Sequence, residues 1–401
     1  MRVGIDYGRE RLDVEVRDGS LVGVRQQAPA RPVPDPGAAV RAALDNPLGF
    51  PALRRALTPD DQVAVVVDPQ LPHLPELLTA VLEHLARARV APGAITLLCP
   101  PAATPGPLDD LPRAFPNVRL EVHDPADRKQ LSYLATTRRG RRLYLNRTAV
   151  DADQLIVLAR CGYDPLLGYS GAEGALYPAL ADEATRQEMW GRLSLEAPGH
   201  DPWPVRREAA EVAWLLGAPF MIQVVQGSGA DVLHVVAGLA DTASEAQRLL
   251  DARWRKAVDR PAETVVAGVA ATPGQPGFAQ LASALACAAR VVQPDGRIVL
   301  LSDTGAAPGP GADLVRQAED PDRALNLLRQ HKPPDMAAAF QWATSVRRAS
   351  VYLLSGLAAE TAEELFTTPL DYAGQVQRLL NSEGPFLFLP DADRTLAVAG
   401  E

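Results

Sequence analysis

Two short apolar runs with a helical stretch between them constrain this chain most. Gln62–Val67 and Ala94–Cys99 read as buried strands, and Leu74–Val90 between them carries Leu77, Leu78, Val81, Leu82 and Leu85 at helical spacing. Strands apolar on both faces need cover on both, which a parallel sheet with crossover helices supplies. The order strand, helix, strand therefore predicts right-handed βαβ units. Val118–Val122, Arg142–Leu145 and Gln154–Ala159 read as further strands of this block. Met221–Val225 and Val232–Val236 read as a hairpin. Asp241–Val258 reads as one long helix, acidic at its start and basic at Arg253, Arg255 and Lys256, in keeping with the helix dipole. A second alternating block follows, with strands at Thr264–Ala270, Arg297–Leu301, Ser350–Leu354 and Phe386–Leu389 and a helix over Gly277–Val292. The N-terminal Arg2–Arg25 alternates apolar and polar residues around two turns, the pattern of short antiparallel strands. The expected fold class is α/β: two α/β lobes with mainly parallel sheets and an inter-domain cleft, divided as 1–250 and 251–401.

The 401 residues are enough for two such domains. Forty basic against 49 acidic residues give a net charge of −9, so a nucleic-acid partner is not expected. No apolar stretch approaches the ~20 residues of a membrane helix, and Met1–Gly8, with Arg2, Asp6 and an early turn, does not read as a signal peptide. Cys99, Cys161 and Cys287 are scattered and form no Cys-x-x-Cys, which argues against a disulfide framework or cysteine zinc site. The expected compartment is the cytoplasm. Lys129, Lys256 and Lys332 are the only lysines, which limits lysine chemistry sharply.

Several segments, taken together, follow one pattern. Asn46-Pro47-Leu48-Gly49-Phe50-Pro51-Ala52-Leu53 has the form Asn-Pro-(Ile/Leu)-Gly-x-Pro-x-Leu. Val65-Val66-Val67-Asp68 with Pro72 follows a strand ending in Asp-x-Thr-Arg-Pro. Ile95–Leu98 corresponds to a strand before a Gly-x-His turn, and His123-Asp124 to an Asn-His-Asp turn. Asn146-Arg147 through Ala152-Asp153, and Gly168-Tyr169-Ser170-Gly171 with Pro178, complete the series. In this order and spacing the chain resembles the nickel-pincer lactate racemase family, over most of its length and most densely from Asn46 to Trp190.

That resemblance implies two α/β domains with a small-molecule site in the cleft between them. It also implies a nickel-pincer nucleotide that a lysine holds covalently and a histidine ligates through nickel. Two further histidines serve as acid and base, and an arginine grips the substrate carboxylate. The implied reaction moves hydride off and back onto a 2-hydroxy acid, chemistry that belongs to the cofactor. Carried over residue by residue, the aspartate stands as Asp68, but its arginine falls on Leu71. The two catalytic histidines fall on Thr104 and Asp164, the pincer lysine on Gly174 and the nickel ligand near Trp190. The second-domain Tyr-Gln-x-x-Lys falls on Phe278-Ala279-Gln280 with Ser283 for lysine. No lysine lies between Lys129 and Lys256, and no histidine between His123 and His200, so no nearby register restores the set. Leucine and threonine cannot imitate a guanidinium fork or a titrating imidazole.

The remaining candidates each carry a plain structural alternative. Asp68 and Asp164 are pocket carboxylates or turn caps. Gly168–Gly171 either cradles a phosphate through its amides or makes a tight turn. Ser170 does not sit in a nucleophile elbow, because the second glycine comes too early. Glu173 reads as an exposed loop carboxylate, Gln280 as a cleft residue or a helix cap, and His123 as structural. His73, His84, His200, His234 and His331 show no metal spacing. Arg138–Arg142 reads as a solvated hairpin turn. Ligand contacts are expected from Asp68, Leu71, Ser170, Gly171, Gln280 and Ser283, with no catalytic residue, no metal and no cofactor expected. The leading functional expectation is a divergent family member without pincer racemase activity, a pseudoenzyme or small-ligand binder whose pocket is neutral to acidic. The rival is a 2-hydroxy-acid racemase or epimerase with an altered active site. A third reading is a partner for an active paralogue, or a homo-oligomer.

Overall fold

In the computed structural model the described residues are 1–24, 30–101, 115–137, 140–199, 203–269, 277–305 and 308–400. The chain divides into two compact units: Pro29–Met189 with Pro198–Asp251, and Met1–Ala28 with Trp190–Ala197 and Ala252–Glu401. A break after residue 250 is thus only part of the division, since the N-terminal hairpin, β1 (Arg2–Tyr7) and β2 (Glu10–Glu15), belongs with the C-terminal part. The reason is burial. Ile5, Tyr7, Leu12 and Val14 form one hydrophobic cluster with Val266, Val299, Leu301 and Phe386.

The unit of residues 29–251 is built on β3 (Val63–Val67), β4 (Ile95–Cys99), β5 (Arg119–Val122), β8 (Gln154–Asp164), β9 (Gly168–Ser170), β10 (Phe220–Gln226) and β11 (Val232–Gly238). The sheet order is β11-β10-β8-β3-β4-β5, with β9 paired to β8. Pairing is parallel from β10 to β5 and antiparallel for β10/β11 and β8/β9. All residues of β3 and β4 are buried, as strands covered on both faces must be. Helix Leu74–Arg87 supplies part of that cover, burying the five residues of its expected stripe. β6 (Leu131–Thr136) and β7 (Arg142–Asn146) form a separate antiparallel hairpin, so the Arg142–Leu145 strand is not a member of the parallel sheet. Of the arginine-rich turn between them, Arg138 and Arg139 lie outside the described residues.

The other unit contains β12 (Arg255–Val258), β13 (Ala262–Gly268), β14 (Val292–Leu301), β15 (Ser350–Leu354), β16 (Thr368–Pro369), β17 (Phe386–Leu389) and β18 (Leu396–Ala399). Its five-stranded sheet is wholly parallel, in the order β16-β15-β14-β13-β17. Val65 and Val299 therefore lie in different sheets. At Gly268 the hairpin approaches closely, since a Cβ there would stand 2.5 Å from the Asp6 carbonyl oxygen. The expected long helix over Asp241–Val258 ends at Trp254, because the next four residues pair with β18 from Arg255↔Leu396 onward. Chain pairing overrides helix propensity here.

Candidate functional site

In open parallel sheets, ligands bind beyond the carboxyl ends of the strands, where the strand order reverses. In the sheet of the 29–251 unit the order reverses between β3 and β8. Asp68 follows β3, and its carboxylate accepts the N–H groups of Gln70 (2.9 Å) and Arg160 (3.4 Å). The Arg160 guanidinium lies 3.9 Å from Asp68 Oδ2 and donates to Gln70 Oε1 at 3.3 Å. Asp68 is therefore both cap and ion-pair partner, and Arg160 is a cation that the sequence reading missed. Its signal was an arginine inside the apolar run Leu155–Cys161. Leu71 is 5% exposed and belongs to the core cluster around β3 and β4. Thr104 lies outside the described residues.

Past β8 the chain turns at Asp164. Its Oδ1 accepts N–H bonds from Leu166 and Leu167, both 2.8 Å, and burial pushes its carboxyl pKa up against those two bonds. Asp164 thus holds the turn into β9, and Ser170 on β9 faces the bare Cα of Gly162. Tyr163 and Tyr169 both donate their hydroxyls to Asp251, at 2.9 and 2.8 Å. The Ala172 amide at the helical end of the glycine-rich segment is committed to Gln223 Oε1 at 3.3 Å. Gly171, at φ 158°, is held there because a Cβ would stand 2.3 Å from that same oxygen.

The expectation of an exposed loop carboxylate at Glu173 is corrected. Glu173 lies in the short helix Ala172–Leu176, its side chain only 13% exposed, with Oε2 3.2 Å from the Arg206 guanidinium. Burial raises its pKa and Arg206 opposes the rise. Arg206, from helix Pro204–Leu215, also donates to the Tyr169 carbonyl at 3.1 Å and lies over the Tyr169 ring. These groups line a pocket of about 310 Å³ with Leu167, Pro198, Trp203, Ala243, Ser244 and Gln247. At its inner end a space of about 10 Å³ adds Gly171, Gly174 and Gln223 to the lining. The neutral-to-acidic lining expected from the sequence omitted Arg206, which brings a positive charge to the glycine loop. Gln223, like Arg160, is a polar residue inside a largely apolar strand.

The positions tied to a covalent cofactor read differently. A Cβ on Gly174 would stand 2.6 Å from Leu167 Cδ1, so a hydrophobic side chain fills the direction a residue at 174 would take. Trp190 packs against the hydrophobic core of the C-terminal unit. Gln280, in that unit too, is a helix cap, its Oε1 accepting the Gly277 N–H at 2.9 Å. Ser283 is half-buried on the same helix, Phe278–Val291. Of the expected ligand contacts, the pocket collects only Gly171. His123 is structural: its Nε2 meets the Ala181 carbonyl at 3.1 Å and its Nδ1 meets the Asn146 amide at 3.3 Å. All three cysteines are buried thiols, with Cys99 pushed up to about 11 and Cys161 to about 12 by burial. Among the described residues no cluster of three metal-ligating side chains occurs, and no helix is long and apolar enough to cross a membrane.

Residues 7–197 match the family model of the lactate racemase N-terminal domain. The lactate racemase of Thermoanaerobacterium thermosaccharolyticum is 19% identical over 416 aligned residues, covering 97% of each chain. The structure of the lactate racemase apoprotein from that organism superposes with a TM-score of 0.79 at 18% identity, covering 99% of this chain and 100% of that one. A Thermotoga maritima protein superposes with a TM-score of 0.66 at 12% identity, over 91% of this chain and 99% of that one.

Proposed function

Residues 7–197 make this chain a member of the lactate racemase family, and from that premise we propose that it is a divergent member that binds a small molecule without running nickel-pincer racemisation. The observation that carries this reading is Gly174. It offers no amine for a covalent link, and Leu167 Cδ1 stands 2.6 Å from where its Cβ would be. The nickel-pincer nucleotide implied by the family therefore does not fit the residues present. Trp190, where the family places its nickel ligand, is engaged in a hydrophobic core. Asp164, where a catalytic histidine would stand, commits its Oδ1 to two backbone amides. What the chain retains is the sheet, the strand-end turns and a pocket beside the glycine loop. The proposed compartment is the cytoplasm, in keeping with three buried free thiols.

The test is a lactate racemisation assay on the full chain produced in a host that makes the pincer nucleotide. The expected result is no interconversion of D- and L-lactate above the host background. One observation favours the rival, a 2-hydroxy-acid racemase or epimerase with an altered site. Arg160 at the strand-order reversal is a cation a carboxylate could pair with. Racemisation that disappears in Arg160→Ala would establish the rival and end the non-racemase reading.

A further inference from the structure

The pocket beside the glycine loop has unspent hydrogen-bonding groups of both kinds. Gln223 is 2% exposed, yet its Nε2 has no hydrogen-bond partner. Its orientation is fixed, because Oε1 accepts the Ala172 N–H and the amino group must then point the other way. A buried amide donor left unmade costs about 1–3 kcal/mol, so the site calls for an acceptor. The nearest approach of Glu173 to Arg206 is Oε2 to one terminal nitrogen, at 3.2 Å. That leaves Glu173 Oε1 to face a donor. Gln223, Glu173 and Arg206 all line the inner end, whose space of about 10 Å³ suits one oxygen atom. The outer 310 Å³ is walled by Leu167, Pro198, Trp203 and Ala243.

This geometry points to a small α-amino acid with an apolar side chain as the ligand. One carboxylate oxygen enters the inner space and accepts from Gln223 Nε2 and Arg206, the ammonium donates to Glu173, and the side chain lies against Trp203 and Leu167. The inference rests on the small-molecule-binding reading above and names the ligand class. It separates this chain from 2-hydroxy-acid chemistry at a single group, since a 2-hydroxy acid has a neutral hydroxyl where the amino acid has an ammonium. A carboxylate discriminates between those two by charge.

Isothermal titration calorimetry on the full chain, with leucine and its hydroxyl counterpart 2-hydroxy-4-methylpentanoate as probes, tests this without any mutation. Leucine is expected to bind at least about tenfold more tightly. Glu173→Gln, checked for folding by its thermal transition, is expected to erase the preference and leave the two probes within about twofold. Equal binding of both probes to the unaltered chain overturns the inference. So does failure of both to bind at millimolar concentration, or an undiminished preference in Glu173→Gln. None of these outcomes bears on lactate racemisation, so the two readings fail separately.

Discussion

Gly174 shows how one residue can decide the chemistry of a site. The family resemblance puts Gly174 where the family has its lysine, and the structure shows Leu167, itself 6% exposed, with Cδ1 2.6 Å from where a Cβ at 174 would stand. Gly174→Lys is therefore expected to destabilise the fold by about 1–3 kcal/mol through overpacking. Leu167→Ala should recover part of that loss when combined with it, although each change alone is destabilising. Denaturant unfolding of the four proteins in this cycle checks the coupling, and additive effects would show that Leu167 does not occupy the space. Although the sequence reading passed over them, Arg160 and Gln223 were marked as polar interruptions of apolar strands. Arg206 was not, because nothing in the helix pattern marks which of several arginines turns toward Glu173.

Elements with a strong period were readable, and their polar exceptions carry the pH dependence. Helix Leu74–Arg87 buries its expected apolar stripe together with His84. The His84 Nε2 accepts the Arg54 N–H at 3.1 Å, so the ring is neutral, and burial holds its pKa below the ordinary 6.5. His123, with both nitrogens engaged, is lowered mainly by burial, as is His234. The unfolded chain takes up protons near 6.5, while the folded chain resists until the pH is lower. Their contribution is thus complete above about 6.5 and falls as the pH drops through the lowered folded values. Glu173 and Asp164, raised by burial, act in the opposite sense, their contribution being lost as the pH rises above the ordinary carboxylate values. Urea unfolding should give a lower midpoint at pH 5.5 than at pH 8, with a smaller drop in His123→Gln. Identical midpoints at the two pH values would contradict the neutral-histidine assignment. The helix over Asp241–Val258 was misread at its end for a related reason. Its strand partner, β18, lies some 140 residues away, beyond the reach of any local pattern.

Across the whole molecule, the two parallel sheets were legible because each strand is apolar in its own right. The grouping of β1 and β2 with the C-terminal unit was not, since it depends on packing between Ile5 and Val266. The candidate site was harder to read than the fold. The resemblance marks family positions, whereas the side chains that line the pocket come from the glycine loop, β9, β10 and several helices, and no local pattern in the sequence brings them together. The central claim is that this family scaffold carries no covalently held nickel-pincer nucleotide. Intact-mass measurement of the full chain, purified from a host that synthesises that nucleotide, tests it most directly. The account predicts the mass of the unmodified polypeptide. A nucleotide-sized adduct, on Lys256 or either of the other two lysines, would contradict it.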